Sequence, residues 1–232
     1  EKMWITSGDD AGVIVVWAKT GPADSKAITC FLVEKDAKGL SAGNPEEKMG
    51  LLASHTVALS LQDVEVPESA LLGELGKGFR IAMTALDGGR IGVSAQALGI
   101  GWGAYESSLR YVTERSQFGK TLSDQQAVQF KLADMATELE AGWLLVLRAA
   151  FLKEKGVPFT REASMAKVFS TEAANRVVRE AVQVHGGYGY TEEYGVARAY
   201  RDCRVTQIYE GTSEVQRMVI AREVLKQVAA SA

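Results

Sequence analysis

The residues best suited to chemistry lie in four short segments. Glu210 stands in Ile208-Tyr209-Glu210-Gly211-Thr212-Ser213-Glu214, an apolar and aromatic stretch just ahead of a helix start, beside a glycine that leaves one side open. A carboxylate held rigidly in a dry pocket is a general base, whereas the same group in water near a helix N-terminus is simply favoured by the helix dipole. Position leaves both readings open. Leu86-Asp87-Gly88-Gly89-Arg90-Ile91 places two adjacent glycines inside a helical pattern, at about 1 kcal/mol each relative to alanine. Either close helix contact or room for a ligand compensates, with Asp87 and Arg90 beside it. Arg115-Ser116-Gln117-Phe118-Gly119-Lys120 combines a guanidinium at a helix C-terminus with an aromatic three residues on. That is a helix cap, or else a charge for a pyrophosphate and a face for a purine. Gln183-Val184-His185-Gly186-Gly187-Tyr188-Gly189-Tyr190 is a glycine-rich turn after a helix rather than after a strand. This excludes the Rossmann and phosphate-loop readings, as it does for Gly99-Ile100-Gly101-Trp102-Gly103. Its glycines either open backbone N–H groups to an anion or stop the helix, and His185 alone reads as structural.

The elements that must hold these segments change character once along the chain. From Ile5 to Val66 the pattern is that of strands: Val13 to Trp17, Ile28 to Val33, and a segment in which Val57, Leu59 and Leu61 alternate with Ala58, Ser60 and Gln62. The alternation slips at Asp63 and resumes at Val64 and Val66, as a bulge would make it, until Pro67. Beyond Leu75 the period lies between three and four. One helix is predicted over about 78–115, roughly 55 Å long, with Phe79, Met83, Leu86, Val93, Ala97 and Ile100 on one face. Val128, Leu132, Met135, Leu139, Gly142, Val146 and Ala149 form a heptad seam on a second helix, ended at Gly156-Val157-Pro158. A third runs from Thr160 to the Gly186-Gly187 stop. Ser213 and Gln216 have the form of a capping box ahead of a fourth helix, whose buried side is read as Met218, Ala221, Leu225 and Val228. The fold class is therefore α+β: a partial antiparallel β-domain over residues 1–70, then an antiparallel four-helix bundle over 71–232. Its small-residue stripes make a thin core, so further apolar surface is expected to be covered by another chain.

Composition narrows the function classes. The 26 basic and 29 acidic side chains give a net charge of −3, with no basic stripe to draw a polyanion, so no nucleic acid is expected. The longest apolar run, Val13 to Trp17, is far shorter than the roughly 20 residues of a membrane span. Cys30 and Cys203 stand far apart, and neither His55 nor His185 has a neighbouring metal-ligand partner. Pairing of the two cysteines is one reading; reduced, buried thiols in a reducing compartment are the plainer one, and no metal is expected. A chain opening Glu1-Lys2-Met3-Trp4-Ile5-Thr6, with no initiator Met and no lead-in turn, reads as part of a longer protein.

Taken in order, Trp4-Ile5-Thr6, Leu86 to Arg90, Arg115 to Gly119, Gln183 to Tyr190 and Tyr200 to Glu214 resemble the acyl-CoA dehydrogenase family over essentially the whole chain. The resemblance implies FAD and the α,β-dehydrogenation of an acyl-CoA thioester of short or short-branched chain. It implies that Glu210 removes the α proton while the β carbon gives hydride to the flavin. The thioester carbonyl would be polarised by the base's own N–H and a ribityl hydroxyl, at about 3 to 4 kcal/mol per donor. Trp4, Ile5 and Thr6 correspond to flavin-ring contacts. Arg115, Phe118 and Gln126, with Gln183, Val184, His185, Gly186 and Gly187, correspond to the positions that hold the ADP half, typically across to a neighbouring subunit. Thr212, Ser213 and Glu214 match another FAD-contacting stretch. Asp87, Gly88, Gly89, Arg90, Tyr209 and Gly211 fall at the acyl-CoA site. Some members of the family carry their base at the position of Gly89 and lack it in the final loop; this chain has the reverse. The resemblance further implies an electron-transfer flavoprotein as acceptor and a homotetrameric dimer of dimers. The compartment would be the cytoplasm in a bacterium or the mitochondrial matrix in a eukaryote. The family's helical N-terminal domain and first β-strands have no counterpart in these residues, as expected of a truncation, a proteolytic product or half of a split enzyme. An oxidase on the same fold, or a non-catalytic scaffold, is the alternative.

Overall fold

The computed structural model of the protein describes residues 1–22 and 27–231, and the chain divides into two compact units, residues 1–86 and 87–232. In the first unit, β1 (Lys2–Thr6), β2 (Val13–Lys19), β3 (Ile28–Glu34), β4 (Leu40–Ala42), β5 (Thr56–Leu61) and β6 (Leu71–Leu72) form two antiparallel three-stranded sheets, ordered β1-β5-β4 and β2-β3-β6. Alternation decides which side is buried. Ile14 and Val16 of β2 turn inward while Val13 and Val15 face out. With Val33, Val57 and Leu59 they make one core shared by both sheets, each fully buried aliphatic side chain contributing about 1.5–3 kcal/mol.

Two strand features differ from the sequence reading. β5 stops at Leu61 rather than running through a bulge to Val66: Asp63 adopts φ +49°, which breaks the ladder, although Val64 and Val66 still pack on the core. The bulge lies instead in β1, whose register slips between Lys2↔Leu59 and Ile5↔Val57 with Trp4 at φ +62°.

Helix α1 (Gly78–Glu114) starts pressed against β3, and the division between the units falls within it, after Leu86. A side chain at Gly78 would lie 2.6 Å from the Cys30 backbone nitrogen, and the Trp17 indole donates to the Gly78 carbonyl at 3.1 Å.

The second unit holds the rest of α1, the small hairpin β7 (Ser116–Gln117) and β8 (Lys120–Thr121), then α2 (Gln126–Glu154), α3 (Thr160–His185), α4 (Val196–Arg204) and α5 (Ser213–Ser231). Helix α4 is additional to the four long helices that periodicity predicts. It buries only Val196 and Cys203, too few to draw a stripe. Helix α3 is the central one, packed on α2, α4 and α5. Ala166, Ser170, Ala173, Val177, Ala181 and Val184 are buried on one side of it, and Lys167 and Thr171 are buried on another. Glycines allow close approach here: a Cβ at Gly101 would meet Leu139 Cδ2, and one at Gly142 would meet Leu98 Cδ2, each at 2.8 Å. Both cysteines are free and buried, and burial pushes the Cys203 thiol up to about 12.

Helix α5 reverses its expected orientation. Met218, Ala221, Leu225 and Val228 are exposed, and the inward positions of its first turn are Ser213 and Gln216. Nor do Ser213 and Gln216 make a capping box. The Thr212 hydroxyl accepts from the Val215 N–H at 3.4 Å, while Gln216 reaches back into the preceding turn.

Candidate active site

Glu210 occupies a strained turn. Its φ is +54° and that of Gly211 is +87°, and an L-residue held in the left-handed region costs about 1–2 kcal/mol. The carbonyls of both residues point inward: Gln216 Nε2 donates to Glu210 O at 3.1 Å and to Gly211 O at 3.0 Å, and Lys167 Nζ donates to Gly211 O at 2.8 Å. Gln216 and Lys167 are both fully buried. Tyr209, next in the turn, donates its hydroxyl to Gln96 of α1.

Fixed in this way, the Glu210 carboxylate lies against Gly89. A Cβ there would sit 2.6 Å from Oε2 and 3.1 Å from Cδ. The absent side chain is the space the carboxylate uses, which is what the double glycine contributes at this point. Gly88, one residue earlier, faces Lys153 Nζ, which a Cβ would approach to 3.2 Å.

Asp87 and Arg90 form an internal pair. Arg90 is 5% exposed and donates to Asp87 Oδ1 at 2.7 Å and to Ser164 Oγ of α3 at 3.4 Å. The other Asp87 oxygen accepts from Thr160 Oγ1 at 2.5 Å, so the pair ties α1 to the start of α3. Removing one partner of a buried pair leaves a charge uncompensated, at about 3–5 kcal/mol.

At the far end of α3 a cavity of about 450 Å³ is lined by Tyr111, Arg115, Gln117, His185, Gly186 and Gly187 among others. The Arg115 guanidinium lies 5.6 Å from the centre of the Tyr188 ring. Gly186 has φ +59°, and a Cβ on Gly186 or Gly187 would meet nothing within 4 Å, so this backbone is open. His185 beside it is buried, stacked on Tyr111 at 4.4 Å, with Nδ1 at 2.8 Å from Ala181 O and Nε2 at 3.3 Å from Ser107 Oγ. Burial holds its imidazole below the usual range. Phe118, at the hairpin tip, has φ +55° and is 96% exposed. Gln126 opens α2, and it and Gln183 are exposed.

In the first unit, Trp4 is 70% exposed at the β1 bulge and Thr6 is exposed two residues on, with Ile5 half-buried between them. Bulges re-aim side chains, and strained positions concentrate at functional sites. Of the other carried-over residues, Thr212 caps α5, Ser213 is buried, and Glu214 is exposed; a hydrogen bond with its own backbone N–H and one with Thr212 hold its carboxyl below the usual range. Among the described residues no His, Cys, Asp and Glu cluster in a way that would hold a metal, and no helix is long and apolar enough to cross a membrane.

The family model "Acyl-CoA dehydrogenase, C-terminal domain" matches residues 76–225, and "Acyl-CoA dehydrogenase, middle domain" matches residues 1–64. The chain belongs to the acyl-CoA dehydrogenase family. Within that family it is 50% identical over 226 residues to acryloyl-CoA reductase (NADH) of Anaerotignum propionicum, covering 97% of this chain and 57% of that protein. Butyryl-CoA dehydrogenase from Megasphaera elsdenii superposes with a TM-score of 0.95 at 50% identity, over 97% of this chain and 59% of that one. An acyl-CoA dehydrogenase from Bacillus anthracis, solved in complex with FAD, gives 0.92 at 35% identity, over 99% of this chain and 42% of that one. The chain thus spans less than two thirds of the acyl-CoA dehydrogenase family members it matches.

Of the two side chains that hold the Glu210 turn, the sequence reading passed over Lys167 and assigned Gln216 to a capping box instead. Lys167 did leave a trace: it is spaced three and four residues from Ala163, Ser170 and Thr171 and seven from Ala174, on a side of α3 whose other residues are small.

Proposed function

We propose that this chain supplies the base and part of the cofactor site of an FAD-dependent enzyme acting at the Cα–Cβ bond of a short-chain or short-branched acyl-CoA thioester. The observation that carries this is the Glu210 carboxylate, held on a strained turn against the bare backbone of Gly89. Glu210 removes the α proton of the thioester, and the substrate lies against the Gly88–Gly89 stretch of α1 beside it. Tyr209 and Gly211 flank the reacting carbon, and Asp87 with Arg90 fixes the α1 turn behind it.

The residues present fit FAD on chemical grounds. Arg115 is a pyrophosphate partner, and the open Gly186-Gly187 backbone beside it leaves a cradle that side chains would fill. Trp4 offers an exposed ring face, and Thr6 a hydroxyl. FAD, when bound, supplies the acceptor for hydride leaving the β carbon. Gln183 to Gly187, Arg115, Phe118 and Gln126 hold its ADP end, Thr212 to Glu214 are a further FAD-contacting stretch, and in the first unit Trp4, Ile5 and Thr6 are flavin-ring contacts. The exposure of Phe118 supports a homotetramer in which this hairpin reaches a neighbouring subunit. An electron-transfer flavoprotein is the electron acceptor in this reading.

Glu210→Gln, in the protein that carries this chain, is expected to abolish bleaching of the flavin by substrate while FAD stays bound. Bleaching at the normal rate in that variant would remove Glu210 from the reaction.

The relative named acryloyl-CoA reductase favours a second reading, in which the same site runs in reverse and the protonated Glu210 gives its proton to the α carbon. Offering the protein saturated and α,β-unsaturated thioesters, with the matching electron acceptor or donor, decides the physiological direction. Rapid reoxidation by air with release of peroxide would favour an oxidase instead, and a protein that carries no flavin would favour a scaffold.

A further inference from the structure

Building on the reading of Glu210 as the base, we propose that Lys167 is a positioning residue for it. With the Gln216 amide, its buried ammonium pins the two carbonyls of the Glu210–Gly211 turn inward and so keeps the carboxylate against Gly89.

Glu210 holds φ +54° beside Gly211 at +87°, and for a non-glycine residue such a conformation persists only when its surroundings over-determine it. Three donor contacts do so here. Gln216 Nε2 bridges both carbonyls at 3.1 and 3.0 Å, and Lys167 Nζ reaches the second at 2.8 Å. An ammonium-to-carbonyl bond is charge-assisted and so stronger than the two amide bonds. Freed of it, the Gly211 peptide can turn, the strained Glu210 relaxes toward the common backbone regions, and its carboxylate moves away from Gly89.

A buried lysine is unusual, and this one is fully covered. Burial is the chief cause that pushes its ammonium down to about 8, with Arg90 of α1 adding to the effect. Glu172 on its own helix, Glu210 in the turn and Glu214 of α5 pull the other way. The charge therefore survives at neutral pH, set among Arg90 and three carboxylates. Apolar packing alone would be served better by methionine, so the retained cation points to its carbonyl partner.

The test is Lys167→Met in the FAD-loaded protein that carries this chain, with Glu210→Gln in parallel. Methionine keeps the length of the stem and removes the donor. The expected result is a ten- to hundred-fold fall in kcat, the size of effect that an ångström of misplacement produces. KM for acyl-CoA is expected to stay within threefold, FAD content unchanged, and the melting temperature no lower than that of the parent. Unchanged kcat overturns the proposal. A lower melting temperature and lost FAD, with kcat per bound flavin intact, also overturn it, because they would make Lys167 a purely structural group. If Lys167→Met yields no folded protein, Gln216→Met removes the other donor to the same carbonyls and is expected to give the same separation of kcat from KM. Turnover surviving in Glu210→Gln would sink the base assignment itself. An inactive Glu210→Gln beside a fully active Lys167→Met would sink the positioning role alone.

Discussion

Gly89→Ala tests the geometry of the site most directly, because it is expected to move stability and catalysis in opposite directions. The position lies within a helix of 37 residues, where replacing glycine by alanine contributes about 1 kcal/mol of stability. For a cooperative unit of 150–250 residues that amounts to about 2–4 °C in melting temperature. The new methyl carbon would begin 2.6 Å from Glu210 Oε2, against the 3.4 Å at which ordinary contact starts. The carboxylate must therefore retreat by about 0.8 Å to recover normal van der Waals spacing. It is the far end of a flexible side chain, so the fold yields easily, but a base displaced by nearly an ångström loses about a hundredfold in rate. That corresponds to about 2.7 kcal/mol in the barrier. Anaerobic stopped-flow measurement of flavin bleaching by acyl-CoA, alongside a thermal melt, reads both quantities on one preparation. A variant that melts higher and bleaches at the parental rate would mean that catalysis does not use the carboxylate in this position. A variant that melts lower would refute the steric reasoning itself.

Two further substitutions probe the other parts. Gly78→Ala would set a methyl carbon 2.6 Å from the Cys30 nitrogen and 2.7 Å from the Thr29 carbonyl carbon; backbone does not yield, so a loss of about 1–3 kcal/mol is expected, seen as a lower urea midpoint at unchanged m-value. Arg115→Met removes the cation beside the Tyr188 ring and the open glycines. A charged hydrogen bond is worth about 1.5–3 kcal/mol, so FAD is expected to dissociate roughly ten- to a hundredfold more readily in equilibrium titration, and undiminished retention would remove Arg115 from the cofactor site.

What the residues disclosed by themselves follows from what periodicity measures. Helix α1 was legible almost to the residue, because its turn of Gly and Leu at the start and the polar stop at Arg115 bracket an unbroken pattern. Helix α5 was legible as a helix and misread in orientation. An apolar stripe such as Met218, Leu225 and Val228 states that something covers it, not that this chain does. The inward side of its first turn carries Ser213 and Gln216, whose polar atoms bind a strained loop that no pattern announces. Helix α4 escaped because Val196 and Cys203 are its only buried anchors among four charged residues. The segments of the site were legible as unusual residue combinations. Their joining was not: that Gly89 and Glu210 touch across 121 positions of sequence depends on how α1 packs beside the turn. Lys167 was hidden by the general habit of lysine, which is to face water.

The placement of α3 has a metric consequence. Lys167 marks the end of the helix that holds the Glu210 turn, and Gly186 marks the end that opens beside Arg115. Nineteen residues of continuous helix separate them, roughly 28 Å at 1.5 Å per residue. The spacing between the two sites is thus written in backbone rather than in side chains, and substitution at either end leaves it untouched. A single-residue insertion or deletion within α3 would change it by about 1.5 Å and rotate one site by about 100° against the other. Helix α3 behaves as a ruler whose length tolerates no editing, while its surface residues remain free to vary.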